Sequence, residues 1–273
     1  MTENVEKKKS SSGKYFLWIL GIIIIIGIIV LIVYNTNKKK EDYIQESKLP
    51  FVSVCTPTYN RKKFFPALIE CFKKQTYPKS RMEWVIVDDG TDPIESLVKN
   101  VECVKYIRPT GEKMKLGAKR NYMHKFCKGD IIVYMDDDDY YPPERVDNAV
   151  KKLTQNPNAL AAGSSIIHIY YKDRDQIYRF GPYAPNHATA GTFAFWKKLL
   201  NHTKYDDNAE KAEEKQFLKN YTIPFVQLDS EKTILCLSHD DNTYDKRNLL
   251  SKENYHPKIV HKTDLKLKDF IKS

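Results

Sequence analysis

Residues 134–143, Tyr134-Met135-Asp136-Asp137-Asp138-Asp139-Tyr140-Tyr141-Pro142-Pro143, set four consecutive carboxylates at the end of the apolar run Ile131-Ile132-Val133. Adjacent acids repel one another, so a fold that holds four of them at the lip of a buried strand needs a compensating cation. Oxygen ligands without a neighbouring His or Cys favour a hard divalent ion, Mn2+ or Mg2+. An EF-hand loop would also be acidic, but Tyr140 and Tyr141 stand where that loop needs a ligand and a glycine. The remaining alternative is a solvated acidic turn.

The segments upstream favour a site. Residues 51–56 read as a strand ending in Pro57-Thr58-Tyr59-Asn60, and residues 62–75 carry Phe65, Leu68, Ile69 and Phe72 at helical spacing. A second strand at 83–87 ends in Asp88-Asp89-Gly90-Thr91. A short helix, a third strand at 104–107 and a helix at 116–126 precede the fourth strand at 131–135. Strands alternating with helices imply a mainly parallel sheet with right-handed crossovers, and ligands bind beyond the carboxyl ends of such strands. Three polar clusters therefore converge on one edge.

The second half is less regular. It offers a helix at 142–154, one long strand at 160–171 pairing with 176–180 through the turn 172–175, and a buried strand at 190–196. An acidic, helix-forming segment follows at 205–219, then strands at 225–228 and 233–237. Residues 246–273 read as a weakly patterned basic tail.

Charge and cysteine usage narrow the functional class. Residues 1–40 carry seven lysines against Glu3 and Glu6, and residues 246–273 carry eight Lys or Arg against Glu253, Asp264 and Asp269. These ends account for the whole formal charge of +10, so the middle is neutral. A neutral body argues against a domain tracking phosphate backbones and so against a nucleic-acid partner. Basic ends beside an apolar span suit an anionic lipid surface. The five cysteines are scattered without CxxC spacing, which indicates neither a disulfide framework nor a zinc site.

Residues 1–14 are polar and lysine-rich and are expected to be disordered. Residues 15–34 hold about twenty uncharged residues with Tyr15, Trp18 and Tyr34 near the ends, which predicts one transmembrane helix. The run is too long for a signal peptide, and no small-x-small cleavage site follows it. Lysines flank it almost equally, so its orientation stays open. Residues 35–49 read as a stalk, and residues 50–245 as one catalytic domain.

Four segments together resemble the family 2 glycosyltransferases of the GT-A fold: Val52-Ser53-Val54-Cys55-Thr56-Pro57-Thr58-Tyr59-Asn60-Arg61, Val85-Ile86-Val87-Asp88-Asp89-Gly90-Thr91, Leu116-Gly117-Ala118-Lys119-Arg120-Asn121, and the aspartate run as a DxD segment. The resemblance spans about residues 50 to 245. It implies metal-dependent, inverting transfer of a single sugar from a nucleotide sugar, UDP-linked, to an acceptor hydroxyl on a glycan, protein or lipid. It also implies that Asp138 is the main metal carboxylate, with Asp136 as the other half of the DxD. Asp137 and Asp139 would lie near the donor ribose or sugar. Asp88 and Asp89 would hold the uracil imide and ribose, Thr56, Pro57 and Tyr59 would wall the base, and Arg120 would reach the base or diphosphate. His239 matches the place where some members offer a third metal ligand.

The base that deprotonates the acceptor falls, by the same resemblance, on Glu214 of the pair Glu213-Glu214, with Asp207 a nearby alternative. The Gln-x-x-Arg-Trp motif of processive members is missing, since Trp18, Trp84 and Trp196 all lack a preceding Arg. Two rival readings remain. A sugar-phosphate nucleotidyltransferase would want a Gly-rich basic loop where Pro57-Thr58-Tyr59-Asn60 stands, and a non-catalytic sugar-nucleotide or glycan-binding protein would keep the fold without the base.

Overall fold

The computed structural model describes residues 12–210, 214–242, 244–251, 253 and 256–271. The chain divides into two units, residues 1–49 and 50–273. The first contains a single long helix, α1 (Ser12–Ser47). It takes in the expected stalk as well as the apolar run, because residues 35–47 hold no Gly or Pro to stop a helix. Residues 12–14, expected to be disordered, are already helical, and residues 1–11 lie outside the described residues. Trp18, Ile19, Leu20, Ile24 and residues 28–34 are exposed on α1. Among the described residues no helix is long and apolar enough to cross a membrane, so the span expected over residues 15–34 is not supported.

In the second unit the predicted alternation is realised as β1 (Val52–Thr58), α2 (Phe65–Lys73), β2 (Met82–Asp88), α3 (Glu95–Val98), β3 (Val104–Ile107), α4 (Leu116–His124), β4 (Ile131–Tyr134) and α5 (Arg145–Gln155). There follow β5 (Ala161–Gly163), β6 (Ile167–Tyr171), β7 (Gln176–Phe180), β8 (Ala194–Trp196), α6 (Glu214–Phe217), β9 (Phe225–Gln227), β10 (Leu235–Ser238), β11 (Val260–Lys262) and α7 (Leu267–Phe270). The main sheet has the order β3-β2-β1-β4-β8-β5-β9. Its first four strands are parallel, β8 enters antiparallel to both β4 and β5, and β9 runs parallel to β5. The carboxyl ends of β1 to β5 and β9 therefore share one edge with the amino end of β8.

β1 and β2 are buried along their whole length, as continuous apolar strands covered on both faces should be. Phe65 and Phe72 of α2 stack over Trp84 of β2. The Trp84 indole N–H donates to the Thr56 hydroxyl at 2.9 Å, which donates to the Met135 carbonyl at 2.6 Å. This relay fixes the levels of β2, β1 and the end of β4 relative to one another.

Four expectations for the second half need correction. Of the helix-forming segment at 205–219, only Glu214–Phe217 is helical among the described residues, since Asn121 and Gly117 hold 205–209 against α4 instead. The single strand over 160–171 is broken: β5 joins the main sheet and β6 a second sheet of order β10-β6-β7-β11. Between them the Ser164 hydroxyl donates to the Ile166 carbonyl at 2.5 Å, a local bond that competes with the ladder. Residues 190–192 form a tight turn, so only 194–196 pair as strand. The expected tail contributes β11, which pairs with β7, and α7, whose Phe270 is buried against Ile177 and Leu235. The hairpin of β6 and β7 through residues 172–175 is as expected, with Asp175 at φ 43°.

Candidate active site

The four aspartates lie at the carboxyl edge beyond β4, and the second sheet closes over them. Tyr140 pairs with Leu235 of β10, and Asp139 Oδ1 accepts the Leu237 N–H at 2.9 Å. Two residues further on, His239 Nε2 reaches Asp138 Oδ2 at 3.4 Å. Its Nδ1 accepts the Asp241 N–H at 3.2 Å, which turns Nε2 toward the carboxylate.

The charge on the run is met first by protein cations. Arg120 Nη2 lies 3.3 Å from Asp136 Oδ1, and its guanidinium stacks 4.3 Å above the Tyr134 ring. Lys246 Nζ lies 3.8 Å from Asp139 and donates to the Leu237 carbonyl at 3.0 Å. Asp139 and Lys246 thus grip both sides of the residue that leads to His239. Arg145, fully buried, donates to the carbonyls of Tyr134, Thr192 and Phe193 behind the run.

Burial, then the Asp138 charge, pushes Asp137 up to about 8, and burial raises Asp139 to about 6. Asp138 behaves oppositely: burial pushes it up, but the His239 hydrogen bond and the charges of Lys246 and Arg61 outweigh that and hold it below its ordinary value. Of Asp137, Asp138 and Asp139 it is therefore the one held most firmly in the ionised form.

The predicted metal trio is not formed. Among the described residues no group of three or more His, Cys, Asp or Glu is arranged to hold a metal ion, because Asp136 is turned to Arg120. Asp138 and His239 fit a divalent ion in spacing but only with the Nε2 lone pair free, whereas Nδ1, by accepting the Asp241 N–H, leaves the ring proton on Nε2. Two adjacent ligand atoms with bonds of about 2.1 Å at a right angle lie roughly 3 Å apart, close to the separation seen, and a small hard ion takes its remaining ligands from water and substrate phosphates.

The nucleotide side differs in detail from expectation. Thr56 and Pro57 are buried in β1 and do not face an open site, Thr56 being spent on the relay to Met135. Both oxygens of Asp88 serve the following turn. Oδ1 accepts the Gly90 N–H at 2.9 Å, and Oδ2 accepts the Ile94 N–H at 3.1 Å and the Tyr106 hydroxyl at 2.8 Å. Asp89 pairs with Lys119 and accepts the Met114 N–H at 2.6 Å. Tyr59 remains partly open, with Lys113 Nζ 4.2 Å over its ring.

Helix α4 explains why its segment reads Gly-Ala-Lys-Arg-Asn. Lys119 serves Asp89, and Arg120 serves Asp136. Asn121 grips Tyr205 on both sides, donating to its carbonyl at 2.9 Å and accepting its N–H at 3.0 Å. A Cβ on Gly117 would fall 1.9 Å from the Asp206 carbonyl oxygen, so only glycine lets residues 205–209 lie on the helix. The Tyr205 ring stacks on Phe217 of α6 at 4.3 Å and lies 5.9 Å from the Arg120 guanidinium.

The helix that opens with Glu214 is thereby tied, through Tyr205, to the Arg120–Asp136 pair. Glu214 is half-buried, whereas Glu213 lies outside the described residues. Asp207 is exposed and held below its ordinary value by hydrogen bonds from Asn121 and Lys204, which makes it the poorer base.

The reading of the sequence missed Lys246, Arg145 and Asn121. Lys246 had one available signal: four adjacent carboxylates require cations, and a lysine seven residues beyond His239 is a candidate.

This edge, with a mainly parallel sheet below it and carboxylates beyond its central strand, defines a GT-A-like fold. The chain belongs to glycosyl transferase family 2, whose family model matches residues 53–213. It is 31% identical over 107 residues to an uncharacterized glycosyltransferase of Haemophilus influenzae, a match covering 39% of this chain and 36% of that protein. It is 33% identical over 108 residues to the poly(ribitol-phosphate) beta-N-acetylglucosaminyltransferase TarS of Staphylococcus aureus, covering 38% of this chain and 19% of TarS. The chain thus spans well under two thirds of these relatives. Among solved structures, TarS 1–349 in complex with UDP-GlcNAc superposes with a TM-score of 0.56 at 21% identity, covering 70% of this chain and 60% of that one. A mannosyltransferase of Pyrobaculum calidifontis in complex with GDP-Man and Mn2+ gives 0.58 at 19% identity, covering 72% and 59%. At these identities the structural likeness establishes the fold alone.

Proposed function

We propose that this chain transfers one sugar from a nucleotide sugar, UDP-linked, to an acceptor hydroxyl, with a divalent metal and with inversion. The observation that carries the reading is the Asp138–His239 pair beside the Arg120–Asp136 pair at the carboxyl edge. Family membership, and neighbours of this fold bound to UDP-GlcNAc or to GDP-Man and Mn2+, support it.

Asp138 and His239 would hold the metal. When bound, a divalent ion supplies Lewis-acid neutralisation of the charge that develops on the leaving diphosphate. Arg120, fixed between two aromatic rings and Asp136, presents a second positive charge to the same group without having to reorganise. Tyr59 offers its ring to the base. Glu214, at the start of α6, takes the proton from the acceptor hydroxyl, and in-line attack on the anomeric carbon inverts it.

The test is nucleotide release from UDP-GlcNAc, UDP-glucose and GDP-mannose with Mn2+, with Mg2+ and with EDTA. UDP release that depends on the metal is expected. Failure of all three donors to give metal-dependent release would refute the reading.

Membrane attachment through α1 belongs to the same proposal. The exposed Trp18, Ile19, Leu20 and Ile24 and the apolar side chains of residues 28–34, flanked by Lys38, Lys39 and Lys40, support it. Recovery of the full chain in a membrane pellet, and of a chain lacking residues 1–49 in the supernatant, is the expected result. Equal partition of the two would remove the anchor from the reading.

A further inference from the structure

The half of the carboxyl edge formed by β8, β5 and β9 has no part in the donor reading above. Over it lies the loop 181–189, which leads from β7 toward the turn before β8. The loop is built into place: Gln227, at the carboxyl end of β9, donates from Nε2 to the carbonyls of Pro185 at 2.6 Å and His187 at 3.0 Å. The Tyr183 N–H donates to the Ser165 carbonyl at 3.3 Å, and the Asn186 amide donates to the Tyr221 carbonyl at 3.3 Å.

Three rings line up on this support, Tyr183 to His187 at 4.9 Å between centroids and His187 to Tyr221 at 5.3 Å. Tyr183 keeps 43% of its surface exposed although its backbone is held. An aromatic ring presented to solvent from a fixed loop offers an apolar face with a polar edge.

Two features connect the rings to the reacting centre. Lys219, Asn220 and Tyr221 take φ values of 49°, 57° and 62°, a left-handed conformation that L-residues seldom adopt, least of all three in succession. This run turns the chain back on α6, where the Asn220 N–H donates to the carbonyl of Lys215, the residue after Glu214, at 2.8 Å; burial, then the Glu214 charge, raises the Tyr221 phenol. At the other end the loop reaches Gly191, where a Cβ would fall 3.0 Å from Asp136 Oδ2. The strip thus runs from the rings to the donor carboxylates.

We propose that Tyr183, His187 and Tyr221 form the acceptor subsite, a platform for a carbohydrate acceptor that stacks its apolar ring face on theirs and offers a hydroxyl to Glu214. The inference rests on the glycosyl-transfer reading above. A saccharide fits the platform because it has a C–H face for the rings and hydroxyls for the phenol and imidazole edges. A lipid chain would want a deeper apolar groove.

The test is saturation-transfer NMR on the full chain with chitotriose and with cellotriose as probes, each with and without UDP and Mn2+, while UDP affinity is followed separately by calorimetry. Wild type should transfer saturation to sugar-ring protons of at least one probe. Tyr183→Ala should reduce that signal by about fivefold or more, and Tyr183→Phe should keep it. UDP affinity should not change in either variant, which also shows that both are folded. Saccharide signal absent from wild type, or equal in Tyr183→Ala and wild type, overturns the platform. Loss of UDP binding by wild type overturns the donor reading instead.

Discussion

Between β3 and β4 the strands are parallel, four to seven residues long and ordered by burial, whereas β8, β5 and β9 are three residues each and change direction. On the first side Asp88, Asp89, Asp136 and Asp139 each have a named partner in the protein. On the second side the chemistry lies in loops, a four-residue helix and a left-handed turn. A nucleotide diphosphate presents the same charges in every cycle and suits a prearranged set of cations. An acceptor is read by shape, and the side proposed to read it is assembled from three-residue strands and loops.

The contrast can be broken at five places. Asp138→Ala removes the carboxylate facing His239, and transfer should fall about a thousandfold or more together with Mn2+ binding; a metal titration beside the activity assay checks this, and Mn2+ affinity equal to wild type would move the ion elsewhere. Glu214→Gln should lower transfer by about a hundredfold or more while UDP and metal affinity stay unchanged. Normal turnover there would shift the base to Glu213 or Asp207. Gly117→Ala acts on the seam between the two sides, since its Cβ collides with the Asp206 carbonyl. It should cost about 2–3 kcal/mol in urea denaturation.

The fourth place is a pH effect on the rigid side. Burial, then the Arg120 charge, lowers His124 to about 3 from 6.5. Its Nε2 lies 2.7 Å from the Tyr134 hydroxyl, beneath the ring that carries Arg120. As pH falls below 6.5 the unfolded chain takes up this proton and the folded chain does not, so stability present at pH 7 is lost on acidification toward pH 3. By pH 5 the loss from this group is about 2 kcal/mol. His124→Gln should flatten the urea stability curve between pH 7 and 5 by that amount, and an unchanged slope would count against it. The smallest effect is expected of Lys246→Met, about tenfold in Mn2+ affinity, with Lys246→Arg restoring most of it. No change would show that Asp139 alone sets the position of Leu237 and His239.

Much of the rigid side could be read from the sequence, because strand, turn and acid follow one another within a few residues in 51–60, 83–91 and 131–139. The protein partners of Thr56 and Asp88 could not. Thr56 is claimed by Met135, 79 residues on, and Asp88 by Tyr106, 18 residues on, and neither pairing leaves a local pattern. Gly117 and Asn121 were visible as part of a segment but not in their roles, since they act on Tyr205 and Asp206 more than 80 residues away. In the other half periodicity failed for a local reason. Ser164 diverts the backbone and splits one apolar run between two sheets, and the strands are too short to show alternation. Tyr183 and His187 sit in a loop whose composition resembles any other.

Lys246 also bears on the order in which the molecule can be made. Synthesis adds about 5–20 residues per second, so the ammonium that meets Asp139 leaves the ribosome roughly 5–20 s after the aspartates do. Until then Asp139 lacks its lysine, although Arg120, the partner of Asp136, and the β10 backbone are already made. The lip of the site therefore cannot be completed before residue 246 is in place.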